Sequence, residues 1–209
     1  MKFKTVFIIL AHLNLSAQNN FEGSIRFITE IATSGVDKDE FKKELYAKYG
    51  DSLIVYYSKA GVLIREYLNS ANLGNHFQVY NPKSGVVYLL SRNSTKIDTL
   101  DVKINSLSLT SKKKIKSDSI IGLTCDCYEY SATSKYDVKV MLNYCFSKKT
   151  PKINSKLLEK HNDFFLNDYY KNSKRPYLKF SIETSEFKIT QIASEIKKHP
   201  IDQDMYKTK

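Results

Sequence analysis

Three cysteines, Cys125, Cys127 and Cys145, and four histidines, His12, His76, His161 and His199, are the side chains here whose types most readily do chemistry. Two thiols one residue apart can begin a zinc site. A structural zinc needs a second pair of ligands, however, and no histidine stands at ligand spacing from a cysteine or from another histidine. Asp163 with Asp168, and Asp37 with Asp39 and Glu40, lie close enough in sequence to be weighed as paired carboxylates, but helix caps and solvated loop positions account for them more simply. A glycine-rich phosphate loop, a nucleophile elbow and a His-Glu-x-x-His stretch are all missing from the sequence. The expectation is therefore no catalytic residue, no metal and no cofactor, and a cross-link as the chemistry of the cysteines.

The elements that position those cysteines are two strands. Tyr128 and Tyr130 occupy even positions of the first, and Val138, Val140, Leu142, Tyr144 and Phe146 those of the second, while Glu129, Ser131, Lys139 and Asn143 fall between them. This period of two marks a half-buried strand on each side of a polar loop over 133–137. Pairing about a loop of five residues sets Cys125 opposite Cys145, Tyr128 opposite Leu142 and Tyr130 opposite Val140, with both apolar rows on one face. The expected disulfide is Cys125–Cys145, with Cys127 left free, because Cys125 and Cys127 on one strand are too far apart to close on each other.

The run Asp118, Ser119, Ile120, Ile121, Gly122, Leu123, Thr124, Cys125, followed by Tyr144, Cys145, Phe146, Ser147, resembles the central hairpin of the GLPGLI family of secreted bacterial proteins. Arg65, Glu66 and Tyr67 and the turn starting Tyr80, Asn81, Pro82, Lys83 are similar to further features of that family. The chain departs from the family in having no Trp, and in carrying a polar, helical-looking stretch over 154–170 where the motif that names the family would stand. The resemblance implies the half-barrel of the lipoprotein carriers, the LolA-like fold. The fold class expected is α+β and mostly β: a curved antiparallel sheet or incomplete barrel of about 8–11 strands, with two or three short helices on its concave face.

The remainder of the chain fits that frame. Residues 21–31 alternate as a first strand. Asp37 and Glu40 resemble a capping box for a helix over 39–49, with Phe41, Leu45 and Tyr49 on one face and Gly50 at its end. Strands over 53–57 and 62–68 flank a turn containing Gly61, and strands over 77–80 and 86–90 flank one containing Gly85. Weaker strands over 95–102 and 107–115 suit a sheet edge, where Lys112, Lys113 and Lys114 would discourage strand addition. Ser155 is the expected N-cap of a helix carrying Leu157, Leu158, His161, Phe165 and Tyr169 on one face. A strand over 178–182 follows; the pattern over 187–196 suits strand or helix, and the resemblance implies a closing strand there, while 201–209 is a basic tail.

With 209 residues, 42% of them hydrophobic, and with 15 Tyr and 11 Phe against 7 Gly and 4 Pro, the chain has the material for one β-rich core. The net charge of +11 would suit an anionic partner, but only Arg26, Arg65, Arg92 and Arg175 are arginine. Lysine spread along the chain reads as a solvated surface, and no nucleic-acid partner is expected. A basic start at residues 1–4, an apolar run over 5–15 and Leu15, Ser16, Ala17 before Gln18 have the layout of a signal peptide cleaved after residue 17. The apolar run is shorter than the roughly twenty residues of a spanning helix, so the protein is expected to be exported, periplasmic or secreted, and not membrane-spanning. The mature domain is then 18–209. The resemblance implies a non-enzymatic envelope protein holding a lipid or other apolar ligand in the concave face. The alternative is a structural or protein-interaction module whose concavity is filled by its own aromatics and whose partner is another envelope protein.

Overall fold

The computed structural model describes residues 20–35 and 37–202, so the expected signal peptide at 1–17 and most of the basic tail lie outside the described residues. Eleven strands form one antiparallel sheet in the order β6-β5-β4-β3-β2-β1-β11-β10-β9-β8-β7. β1 (Gly23–Thr33) and β11 (Phe187–Lys198) meet at its middle, with Ile25 opposite Ile196 and Ile31 opposite Ile189. On one side the chain meanders outward through β2 (Ser52–Tyr57), β3 (Leu63–Leu68), β4 (Asn75–Asn81), β5 (Val86–Ser91) and β6 (Ile97–Asp101). On the other, β10 (Lys179–Glu183), β9 (Lys139–Phe146), β8 (Leu123–Ser134) and β7 (Leu107–Ile120) continue it. β6 and β7 are the two open edges, so the sheet curves without closing. This is the α+β, mostly β architecture that the strand pattern and the resemblance imply.

Alternation decides which residues fill the concave face. Ile25 and Phe27 of β1, Leu53, Val55 and Tyr57 of β2, Leu63 and Tyr67 of β3, and Leu142 and Tyr144 of β9 are buried in one continuous core. The edges behave as their composition requires. Every residue of β6 is exposed, and on β7 Lys113 pairs with Glu129 at 2.9 Å and Lys114 with Asp126 at 2.7 Å.

Two helices cover the concavity. The first, α1 (Lys38–Tyr49), matches the expected span and ends where Gly50 donates its N–H to the Tyr46 carbonyl at 2.8 Å. The capping box does not form. Asp37 has a left-handed backbone and its side chain caps nothing. Leu45, Phe41 and Tyr49 pack on Ile31 and Ile189 at one end of the sheet.

The expected helix from Ser155 is also corrected. Ser155–Leu158 and Asp163–Phe165 are short 3₁₀ turns, and the α-helix, α2, spans only Leu166–Ser173. Phe164 and Phe165 take φ of 52° and 59°, which breaks the helical path and redirects the chain. Leu158, His161, Phe165 and Tyr169 are nevertheless all buried, because the broken path still wraps the same core. Gly61, at φ 82°, admits the first turn: a Cβ there would lie 2.3 Å from the Leu157 Cβ. Among the described residues no helix is long and apolar enough to cross a membrane.

The β8–β9 register differs from expectation by two residues. Cys127 stands opposite Cys145, Tyr128 opposite Tyr144 and Tyr130 opposite Leu142. The loop is shorter than five residues. Ser134 exchanges with Val138, its N–H reaching the Val138 carbonyl at 2.9 Å, and Asp137 bonds back to the Ser134 carbonyl with a φ of 59°. That is a three-residue hairpin with its last loop residue in the left-handed region. The disulfide is accordingly Cys127–Cys145, with a Cα–Cα distance of 4.1 Å, and not Cys125–Cys145. Cys125 is the free, buried thiol. Its neighbour in the ladder is Asp118 on β7, in the hairpin that turns at Ile121 and Gly122.

Candidate functional site

β3 has the alternation of a half-buried strand, with one exception. Leu63 and Tyr67 are buried toward the concavity, and Arg65 lies between them in the same row. Its ladder neighbours are Val55 on β2 and Gln78 on β4. Glu66, one residue on, faces the other way and accepts the Tyr56 hydroxyl at 2.7 Å. The fold thus carries an arginine inward.

Opposite it, the segment between the 3₁₀ turns forms a strap. The Asn162 and Asp163 N–H groups both donate to the Val102 carbonyl, at 2.7 and 3.2 Å, and the Asn167 N–H donates to the His161 carbonyl at 2.7 Å. The Tyr144 hydroxyl donates to the Phe164 carbonyl at 2.9 Å. The His161 ring packs at a tilt of 34° against Tyr80, with centroids 4.6 Å apart. These bonds fasten a non-helical segment across the concave face.

Between the strap and the sheet lies a cavity of about 360 Å³, within the usual range of roughly 300–1,000 Å³ for small-ligand clefts. Arg65, Tyr67, Gln78, Val87 and Leu89 line it from β3 to β5, and Phe180, Ile182, Ile189 and Gln191 from β10 and β11. His161, Asp163 and Phe164 form its strap side, Tyr49 and Phe187 one end. Leu100 and Ile104, 43% and 75% exposed, stand at its rim near the open edge. Most of the wall is hydrocarbon or aromatic.

The polar groups in it are few and largely unpartnered. Among the described residues Arg65 makes no ion pair or hydrogen bond, although Tyr67, Tyr144, Tyr170 and Tyr177 lie within reach of its charge. His161 is 2% exposed, and its Nδ1 has no hydrogen-bond partner. Burial, with the Arg65 charge adding to it, pushes the imidazole down to about 3, so it is neutral at physiological pH. Burial also raises Asp163 above the usual carboxylate range, against the pull of Arg65. Asp101, at the rim, is already paired with Lys103 at 3.2 Å.

The other half of the concavity is filled. Tyr130, Tyr144, Tyr169, Tyr170 and Tyr177 are completely buried around α2. Tyr144 and Tyr169 stack at 4.7 Å, and Tyr130 and Phe165 at 5.7 Å. Four of their hydroxyls are occupied: Tyr130 donates to Asp168 at 2.9 Å, Tyr144 to the Phe164 carbonyl, Tyr169 to the Arg175 carbonyl at 3.3 Å, and Tyr170 meets Tyr57 at 3.3 Å.

Several residues weighed from the sequence lie apart from this cavity. Asp168 caps no acid–base pair with Asp163; it binds Lys112 and Tyr130 on the filled side. Asp39 and Glu40 are exposed in the first turn of α1. His76 lies against Phe77 at 4.1 Å, and the His199 ring contacts Ser24 at 2.9 Å. Among the described residues no three His, Cys, Asp or Glu side chains gather to hold a metal. His161, placed from the sequence on an inward helix face and not as a ligand, does face inward, whereas Arg65 is the site residue that the sequence reading did not single out for a site. The signal for Arg65 was its phase, a charge at the inward position between Leu63 and Tyr67.

No protein-family model and no curated protein sequence matches the chain. Among solved structures it is similar to a domain from Vibrio parahaemolyticus described as an outer membrane lipoprotein-sorting protein domain. The identity is 8%, over 88% of this chain and 89% of that one, with a TM-score of 0.34, a likeness too coarse to bear on ligand or activity.

Proposed function

We propose that the protein is a non-enzymatic, exported envelope protein that holds a lipid or other apolar ligand in the concave face of its sheet. The observation that carries this reading is the apolar-walled cavity beneath the 161–164 strap, which the protein's own side chains leave open. An interaction module with a filled concavity would need the space between β3–β5 and β10–β11 packed as the region around α2 is, and a cavity lies there instead. A hydrolase would need a nucleophile beside its base. No hydroxyl or thiol is hydrogen-bonded to His161 among the described residues, and the shifts of His161 and Asp163 follow from burial rather than from a matched acid–base pair.

Export after residue 17 is part of the proposal, supported by the layout of the N-terminal sequence and by the Cys127–Cys145 bridge, which suits an oxidising compartment. So is a divergent kinship to the GLPGLI proteins, supported by the hairpin residues at 118–125 and 144–147 and by the curved sheet. Native mass spectrometry of protein purified from its own secretory route, with organic extraction and N-terminal sequencing, tests the reading. The expected result is a chain starting at Gln18 with a stoichiometric apolar adduct. Clean apo protein that gains no thermal protection from added lipids would overturn the ligand, and a retained leader would overturn the export.

A further inference from the structure

The reading that the cavity binds an apolar ligand leaves one feature unexplained. A purely hydrocarbon ligand would seal an unpaired guanidinium away from water, which is expensive without a partner. Arg65 cannot relieve the problem by losing its proton, because guanidinium stays charged at any pH a protein survives. Nor can it swing out of the row. It is held on β3 between Leu63 and Tyr67, which are 2% and 5% exposed. The nearby phenols bring no counter-charge. Asp163, a carboxyl in the same cavity, is bonded by the Phe164 backbone and feels the Arg65 charge, yet forms no ion pair with it.

We propose that the cavity takes an amphiphile with a single anionic head group. The head seats on the Arg65 guanidinium, and the hydrocarbon chain runs along Phe164, Phe180 and Leu89 toward the rim at Ile104. This rests on the apolar-ligand reading and names the chemistry of that ligand. The planar fork of arginine matches a carboxylate or phosphate through two parallel hydrogen bonds, which a lysine would not do. The wall beyond offers aromatic and aliphatic surface but no second cation, which fits one charge and one chain.

The test uses delipidated full-length protein and three probes of equal chain length, hexadecanoate, hexadecyl phosphate and hexadecan-1-ol, titrated calorimetrically. Expected is binding of at least one anion roughly ten- to a hundred-fold tighter than the alcohol, the range for a buried charge-assisted hydrogen bond. Arg65→Gln should remove that preference and leave the alcohol within about two-fold. Whichever anion binds tighter identifies the head as carboxylate or phosphate. If the alcohol binds as well as both anions, or Arg65→Gln weakens all three alike, the anionic head is wrong while the apolar cavity stands. If no probe binds, the cavity reading fails and this inference with it. Asp163→Asn gives an independent readout should Arg65→Gln not fold. It removes a competing carboxyl, so anion affinity should rise several-fold with the alcohol unchanged. An unaltered anion affinity would overturn the placement of the head beside Arg65.

Discussion

The two halves of the concave face are cut from one sheet and lined by the same classes of residue, yet they end in opposite states. Under α2, five tyrosines are fully buried, with Tyr130, Tyr169 and Tyr170 finding oxygen partners and Tyr144 reaching the Phe164 carbonyl. Under the strap, Arg65 and the His161 Nδ1 have none among the described residues, and about 360 Å³ stays open. The difference lies less in composition than in where the chain turns. Left-handed residues at Phe164 and Phe165 end the 3₁₀ path and set α2 so that Asp168 and Tyr169 meet β8 and β9 while Tyr170 reaches Tyr57 of β2. A packed, hydrogen-bonded half is a core, and an open half with orphaned polar groups is a site.

That contrast can be broken most forcefully from the filled side. Tyr169→Ala should destabilise the protein by about 3–5 kcal/mol, the range for deleting a buried aromatic, in urea unfolding of the purified chain. A loss below about 1 kcal/mol would mean that this half is not the core. Next in size is the bridge behind it. Cys127→Ser should remove about 3 kcal/mol, given a closed loop with a sequence separation of 18, whereas Cys125→Ser should leave the disulfide in place. Peptide mapping of unreduced protein would decide the pairing directly, and a Cys125–Cys145 peptide would reverse the register described above.

Adding volume then sets the halves against each other. Ala132→Phe, at a 3% exposed position on the filled side, should lose about 1–3 kcal/mol to overpacking. Leu89→Phe, pointing into the open cavity, should change stability by less than about 0.5 kcal/mol while it abolishes lipid protection. Equal losses would imply that the cavity closes in solution.

The smallest effect is a slope with pH. His161 is held down to about 3 in the fold, against 6.5 for the free side chain, chiefly by burial. Between those values the unfolded chain carries a proton that the folded one does not. Stability is therefore lost as pH falls through this window, at up to about 1.4 kcal/mol per unit. Asp163, raised by burial, acts with the opposite sign, taking its proton in the fold first and adding stability on acidification. His161→Leu should flatten the decline of the urea midpoint between about pH 6 and pH 4. A slope unchanged by that substitution would assign the acid sensitivity to other groups.

Much of the fold was legible because its signals are local. β1 and the meander from β2 to β5 follow from alternation and from glycine in the turns, α1 from the spacing of Phe41, Leu45 and Tyr49, and β6 and β7 from weak apolar pattern with charge. The β8–β9 faces were legible for the same reason. The partner of Cys145 was not, since slipping an antiparallel pair by two residues leaves every side chain on its original face. Apolar periodicity cannot sense such a slip. Only the three-residue loop ending at the left-handed Asp137 decides it. The helix expected from Ser155 failed in a similar way: its apolar spacing correctly marked Leu158, His161, Phe165 and Tyr169 as inward, but carried no sign of the left-handed break inside it.

What the sequence determined by itself, then, is which residues face inward along each strand and that no assembled catalytic or metal motif is written in it. Those properties depend on neighbours within a few residues. Tertiary structure alone decided the disulfide, the division of the concavity into a filled and an open half, and the meeting of Arg65, His161 and Phe180 around one cavity. These residues are far apart in the chain, and their proximity is set by sheet curvature and by a two-residue kink, neither of which leaves a periodic trace in the sequence.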